Sequence, residues 1–317
     1  MSQHYPELFR RHELNPILTA KDWPYPAHRV FNPGATLLQD GTTLLLCRVE
    51  DRRGISHLAV ARSENGRTGW RVEPKPLIAD DPSDPTSCWG AEDPRITYVR
   101  ELGGYAICYT AYGPSGPCVA LAVTQDFRSV EHYGIIMPPE DKNASLLPRQ
   151  IDGMYVLFHR PVAAQTHRAD VWLSRSADLR SWTASEPVLQ SRSGPWWDAT
   201  RIGMGPPPIE TPHGWLCFYH GVKQMVATAI YRVGIVLLDL DDPTRVLRRT
   251  PSWVLGPDAP YERIGDVPNV VFPTGLVHDQ ESDELRLYYG AADSTIAVAT
   301  AKYSEVLEYT LSLPEMV

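Results

Sequence analysis

Apolar residues in this chain gather in short runs bounded by turn residues, and the runs repeat. Residues 43–50, 105–112, 155–161, 215–221 and 285–291 are apolar at odd and even positions alike, the pattern of strands covered on both faces. Each is followed by a further apolar run, at 57–63, 119–124, 170–176, 233–239 and 296–301. Several of these turn through Asn or Asp into an aromatic residue, as in 63–70 and 176–182. Ahead of each pair stands a Pro- or Asn-marked segment: Phe31-Asn-Pro-Gly-Ala35, Glu92-Asp-Pro-Arg95, Leu147-Pro-Arg149, Gly205-Pro-Pro-Pro208 and Val271-Phe-Pro-Thr274. The period is about 55 to 65 residues, slightly longer than common propeller-blade repeats.

Five such units predict an all-β fold, a five-bladed β-propeller forming one domain over residues 1–317, with blades beginning near 31, 92, 147, 205 and 271. Radial repetition lets every blade bury both faces against its neighbours, so little helix is needed. It also predicts where function lies. First strands line the axis, and the ends of leading segments and second strands converge on one funnel. Asn32, Asp93, Arg149, Arg160, His220 and Asp293 are thereby brought together. Two β-sandwiches are the alternative, which the even spacing disfavours.

Charge narrows the partners. Thirty Lys and Arg stand against 38 Asp and Glu, a net charge of −8 with no basic run, which argues against nucleic acid or an anionic membrane. Five cysteines (Cys47, Cys88, Cys108, Cys118, Cys217) form no C-x-x-C pair and read as small buried hydrophobes in a reducing compartment. The N-terminus is charged and proline-broken where a signal peptide needs an apolar segment, so a cytoplasmic location is expected. No stretch approaches the roughly 18 consecutive apolar residues of a membrane helix. Residues 225–231 are apolar enough for an interface between copies, so a homo-oligomer is open.

The densest chemistry is Trp89-Gly-Ala-Glu-Asp-Pro-Arg95, two adjacent carboxylates and an arginine pinned by Pro and Gly. By itself Glu-Asp-Pro-Arg describes a turn with a surface ion pair. No H-E-x-x-H, cysteine pair or EF-hand loop suggests a metal, and His57, His132, His167 and His278 read as surface or packing residues. Nucleophile-elbow, P-loop and dinucleotide fingerprints are absent, and the prolines after Gly203-Met-Gly205 remove the donors an anion cradle needs. What remains is acids, arginines and aromatics, the palette of a carbohydrate site.

At this point the chain resembles glycoside hydrolase family 130, the inverting β-mannoside phosphorylases and mannosidases, which are five-bladed propellers. The motifs carrying the resemblance include Phe31-Asn-Pro-Gly, Arg48-Val-Glu-Asp, Glu92-Asp-Pro-Arg, Leu147-Pro-Arg, His159-Arg-Pro, Trp196-Trp-Asp, Arg201-Ile-Gly, Tyr219-His-Gly-Val and Tyr289-Gly-Ala-Ala-Asp293, in family order over nearly the whole chain. The resemblance implies Asp93 as the sole catalytic acid, its proton reaching the glycosidic oxygen through the 3-hydroxyl of the bound mannose. It implies Asn32, Arg48 and Asp293 as mannose ligands, and Arg149, Arg160 and His220 as phosphate ligands. Arg201 takes a further phosphate-binding position often held by lysine. Trp89, Tyr112 and Tyr261 are looser expectations for walls of the acceptor site. Taken singly, Arg48, Arg149 and Arg160 read as structural arginines, His220 as a packed core histidine and Asp293 as a turn cap.

The implied chemistry is coherent. An inverting glycosidase needs a second carboxylate to activate water, whereas phosphate is already nucleophilic and needs only cations to orient it. The expectation is phosphorolysis with inorganic phosphate as co-substrate and no metal or cofactor. A hydrolase on the same scaffold and a non-catalytic glycan-binding propeller are the alternatives. β-1,2 and β-1,4 linkages both stay open.

Overall fold

The computed structural model describes residues 8–162 and 169–316. His167 and the first seven residues of the N-terminal segment lie outside that range. Among the described residues the chain is built almost wholly from antiparallel strands, with helices confined to short 3-10 turns, Pro260–Arg263 and Tyr303–Ser312.

The strands form five antiparallel meanders in chain order. The expected apolar runs are their second and third strands: Thr43–Glu50 and Ser56–Ser63, Gly104–Gly113 and Gly116–Thr124, Tyr155–Pro161 and Val171–Ser176, Gly214–Gln224 and Ala229–Leu238, Glu284–Ala291 and Thr295–Lys302. The first two meanders are joined in one sheet by a single parallel bridge, Ser56 to Gly90. In the fifth, the outermost strand comes from the other end of the chain: Arg10–Arg11 pairs with Thr295–Lys302.

Apolarity on both faces has a direct structural reason. In Thr43–Glu50, Leu44 and Leu46 pack toward Ile107 and Tyr109 of the second meander, while Leu45 and Cys47 pack toward Tyr288 and Val298 of the fifth. Three more clusters follow the same rule. Cys108 with Leu157 joins the second and third meanders, Phe158 with Trp215 the third and fourth, and Phe218 with Leu287 the fourth and fifth. Each meander therefore shares one core with its predecessor and another with its successor, and the fifth shares one with the first.

The first strands carry the functional segments: Arg29–Leu37, Gly90–Val99, Asp141–Leu146, Arg201–Met204 and Val271–Asp279. One expected leading segment is corrected here. Leu147-Pro-Arg149 lies just past the third of these strands, which starts at Asp141. In the fourth meander Gly205-Pro-Pro-Pro208 interrupts the inner edge and does not start it, separating Arg201–Met204 from Ile209–Thr211, both of which pair with Gly214–Gln224. Proline cannot donate to the ladder, so the strand breaks there.

Candidate active site

Three first strands share a device. The pairing register slips between Phe31 and Gly34, between Glu92 and Arg95, and between Lys142 and Ser145, and the residue inside each bulge has positive φ: Asn32 at 45°, Asp93 at 48°, Asn143 at 57°. Asn and Asp tolerate this left-handed conformation better than other non-glycine residues. A bulge re-aims a side chain. Here it turns all three into one cavity of about 240 Å³, lined also by Arg48, Lys142, Arg160, Arg201, His220, Tyr231, Phe272 and Asp293.

Asp93 is buried at one side of this cavity. Its Oδ1 accepts from Asn32 Nδ2 at 2.8 Å and from Arg48 Nη1 at 3.0 Å. Arg48 is itself braced, with Nε on Ser56 Oγ at 2.9 Å, Nη2 on Glu92 Oε1 at 2.8 Å, and its guanidinium 4.5 Å from the Phe31 ring centroid. Beneath lies Arg95, fully buried, donating to the Asp93 carbonyl at 2.7 Å and reaching the carbonyls of Met204 and Gly205. Burial pushes the Asp93 carboxyl up, but Arg48, Arg95 and Lys142 outweigh it and hold it below the ordinary carboxylate range. Asp293 goes the other way. Burial, with Asp93 nearby, lifts it to about 6 against the pull of Arg48 and Arg29.

The other side is cationic. Lys142 and Arg160 face each other in register, and Arg201 Nη2 donates to Tyr231 Oη at 2.6 Å. Burial brings Arg160 down to about 10, helped by Arg201. Burial and then Arg160, Arg95, Arg201 and Lys142 drive His220 well below its ordinary value, so it is neutral at pH 7. Its ring lies 4.6 Å from Phe272, and its Nδ1 is buried without a partner, as is Arg160 Nε. A Cβ at Gly203 would meet the His220 ring at 2.5 Å and Asn143 Nδ2 at 2.7 Å, so Arg201-Ile-Gly203 keeps its glycine to leave both side chains room.

Of the residues singled out from sequence, Asn32, Arg48, Asp93, Arg160, Arg201, His220 and Asp293 line this one cavity. Arg149 does not. Its Nε donates to Glu210 Oε1 at 2.8 Å and its guanidinium covers Trp215, 4.9 Å from the ring centroid. It stands six or seven residues past the cavity-facing end of its strand, roughly 20 Å at the rise of extended chain. Trp89 and Tyr112 form an edge-to-face pair with ring centroids 5.2 Å apart, 44% and 36% exposed, outside the cavity wall. Tyr261, half-buried, is not among the residues that line the cavity. It packs between the fourth and fifth meanders, its hydroxyl accepting from Asn15 Nδ2 at 3.1 Å. Sequence reasoning missed Lys142, Asn143 and Tyr231. A signal for the first two existed, since Lys142-Asn143-Ala144 parallels Phe31-Asn32-Pro33 and Glu92-Asp93-Pro94. Tyr231 had none, being one aromatic in an apolar strand.

Among the described residues no cluster of three or more His, Cys, Asp or Glu side chains is placed to hold a metal. No helix among them is long and apolar enough to cross a membrane.

Comparison with known proteins agrees with this geometry. A family model described as β-1,4-mannooligosaccharide phosphorylase matches residues 8–311. The β-1,4-mannooligosaccharide phosphorylase of Ruminococcus albus is 32% identical over 95% of this chain and 90% of its own length. A β-1,2-mannobiose phosphorylase of Listeria innocua is 37% identical over 80% of this chain and 68% of its own length. The solved structure of a β-1,2-mannobiose phosphorylase from Listeria innocua with β-1,2-mannobiose superposes at TM-score 0.86 and 30% identity, covering 96% of this chain and 99% of that one. With the family model matching nearly the whole chain and relatives above 30% identical along most of their own length, the chain belongs to glycoside hydrolase family 130.

Proposed function

We propose that this protein is an inverting β-mannoside phosphorylase, splitting β-linked mannosides with inorganic phosphate to give α-mannose 1-phosphate and a shortened acceptor sugar. The observation that carries the reading is the division of the cavity: a braced carboxylate, Asp93, on one side and Lys142, Arg160, Arg201 and neutral His220 on the other. Relatives named for β-1,2-mannobiose, β-1,2-oligomannan and β-1,4-mannooligosaccharide phosphorolysis support the substrate class.

In this reading the mannose at the cleavage point lies over Asn32, Arg48 and Asp293. Phosphate sits among Lys142, Arg160 and Arg201, with His220 and Tyr231 beside them. A phosphate oxygen attacks the anomeric carbon, the glycosidic bond breaks, and Asp93 gives the departing oxygen its proton. Asp93 is ionised in the empty protein because cations hold it down. A bound phosphate offsets Lys142, one of those cations, and so raises the carboxyl's affinity for a proton. Trp89 and Tyr112, an exposed aromatic pair at the start of the strand that carries Asp93, suit the acceptor sugar, on whose apolar face an indole stacks.

A hydrolase would need a base on the nucleophile side. Asp293, the second acid of the cavity, is shifted chiefly by burial and by Asp93, Arg48, Arg29 and Glu92, the groups of the sugar side. The cyclic sharing of five cores, and the N-terminal strand completing the fifth sheet, support one five-bladed β-propeller domain. All five cysteines are free, in keeping with a cytoplasmic setting. The deciding assay incubates the protein with β-1,2- and β-1,4-mannobiose, with and without phosphate. Phosphate-dependent mannose 1-phosphate is expected, and equal free-mannose release in both arms rejects the phosphorylase. Asp93→Asn should lower turnover by about 1,000-fold or more while phosphate binding persists. Unchanged turnover in that variant excludes Asp93 as the acid.

A further inference from the structure

Behind the cationic side lies a buried hydrogen-bonded chain that the reaction above does not use. His159 Nδ1 and Asp141 Oδ2 are 2.5 Å apart, His159 Nε2 and Ser174 Oγ 3.2 Å apart, and Ser174 Oγ lies 3.1 Å from Ser185 Oγ. Serine, histidine and aspartate in this order resemble a hydrolytic triad. Asp141, His159 and Ser174 are all almost wholly enclosed, however, so no substrate meets the serine.

Their place in the sheet gives them another use. Asp141 and His159 each immediately precede a cavity cation, Lys142 and Arg160, and those two cations are directly opposed in register. Successive strand residues point to opposite faces, so the pair backs the strand ends whose fronts carry the cations. Like charges opposite each other push paired strands apart. The ladder is also interrupted immediately beyond, at the bulge between Lys142 and Ser145. Asp141 spans this weak point: one carboxylate oxygen meets the His159 ring and the other accepts the Arg160 backbone N–H at 3.0 Å. Its negative charge stays behind the sheet. Among the described residues no carboxylate is salt-bridged to the Arg160 guanidinium, which stays free for an anion.

We propose that Asp141 and His159, backed by Ser174, are positioning residues for the anion site, locking two strand ends so that Lys142 and Arg160 meet one phosphate together. The inference rests on the phosphorylase reading of the cavity, and calorimetric titration of the full chain with inorganic phosphate separates the two. His159→Leu and Asp141→Asn are expected to weaken phosphate by about ten-fold or more, whereas His159→Gln, which keeps a donor for Asp141, loses less than about three-fold. In turnover, KM for phosphate rises in step while kcat at saturating phosphate and KM for the mannoside move less than about three-fold. Wild-type phosphate affinity in folded His159→Leu overturns the proposal, as does an equal loss in every parameter. Should that variant not fold, Ser174→Ala, which cuts only the outer link, is expected to weaken phosphate about two-fold; an unchanged constant there overturns it as well. A wild-type chain that binds phosphate without phosphate-dependent turnover removes the phosphorylase reading and still lets the titration decide the pair. A wild-type chain that binds no phosphate removes both.

Discussion

Two carboxylates in one cavity are driven in opposite directions by what stands beside them. Asp93 has three cations around it, while Asp293 has burial and two acids against two arginines. The lift of Asp293 from 3.8 to about 6 means that ionising it in the empty protein costs roughly 3 kcal/mol more than in the unfolded chain. A carboxyl whose folded pKa exceeds its unfolded one loses stability as pH rises through that interval. Asp293→Asn should therefore melt close to wild type at pH 4 and several degrees higher at pH 8, while losing mannoside binding; a variant no more stable at pH 8 contradicts the assignment. Sulfate, a dianion that carries no proton at pH 6, should be bound with proton uptake, because it offsets the cations that hold the carboxyls ionised. Titration in buffers of different ionisation enthalpy reads this, and proton release counts against it. Lys142 and Arg149 make the sharpest pair of substitutions. Lys142→Ala should raise KM for phosphate by about ten-fold or more, and Arg149→Ala should leave it within about two-fold. The reverse result restores the arginine.

At the scale of elements, the strands with apolar faces on both sides were legible from periodicity, and their bounds agree with the sequence reading to within a few residues. Leading segments marked the first, second and fifth of the first strands, but the third and fourth were misplaced, for a physical reason. The third lines a polar cavity and carries a bulge, so Asp141–Leu146 opens with Asp, Lys and Asn and reads as a loop, and the proline motif after it drew the blade start to the wrong place. Most residues that line the cavity were legible all the same, because Phe31-Asn-Pro and Glu92-Asp-Pro spell out the bulge itself. The place of Tyr261 was not, since it is set by a contact with Asn15, far off in sequence. The bulges depend on the strands behind them. A Cβ at Gly290 would collide with Asn32 Oδ1, the amide that also touches Asp93. Gly290→Ala should therefore displace Asn32 and lower kcat/KM for the mannoside by about ten-fold or more with phosphate affinity kept. Wild-type kinetics in that variant would show that Asn32 can move freely.

Over the whole molecule, stability is distributed among five similar cores, and Arg10–Arg11 joins the fifth sheet. Arg11 fastens that strand to the segment ahead of the fifth meander. Its Nε and Nη2 donate to the two oxygens of Glu262 at 2.8 and 3.0 Å, and Glu262, fully buried, also accepts from Tyr289 Oη at 2.7 Å. Removing the arginine leaves the buried carboxylate with neutral donors alone, Tyr289 Oη and the backbone N–H groups of Asp258 and Ala259, at a cost of at most about 3–5 kcal/mol. Arg11→Ala should lower Tm by several degrees, and Arg11→Met with Glu262→Gln should recover most of the loss; a single variant as stable as wild type shows the pair to be dispensable. The same strand has a consequence for how the protein is made. Arg10 and Arg11 are made before all five meanders, yet their partners at Ala299 and Thr300 come only with the last strand of the fifth. Until that strand exists the segment has nothing to join, and four meanders can form before the fifth is complete. A chain that stalls short of that point carries an unpaired segment ahead of its first meander, open to other nascent chains until the last strand is made.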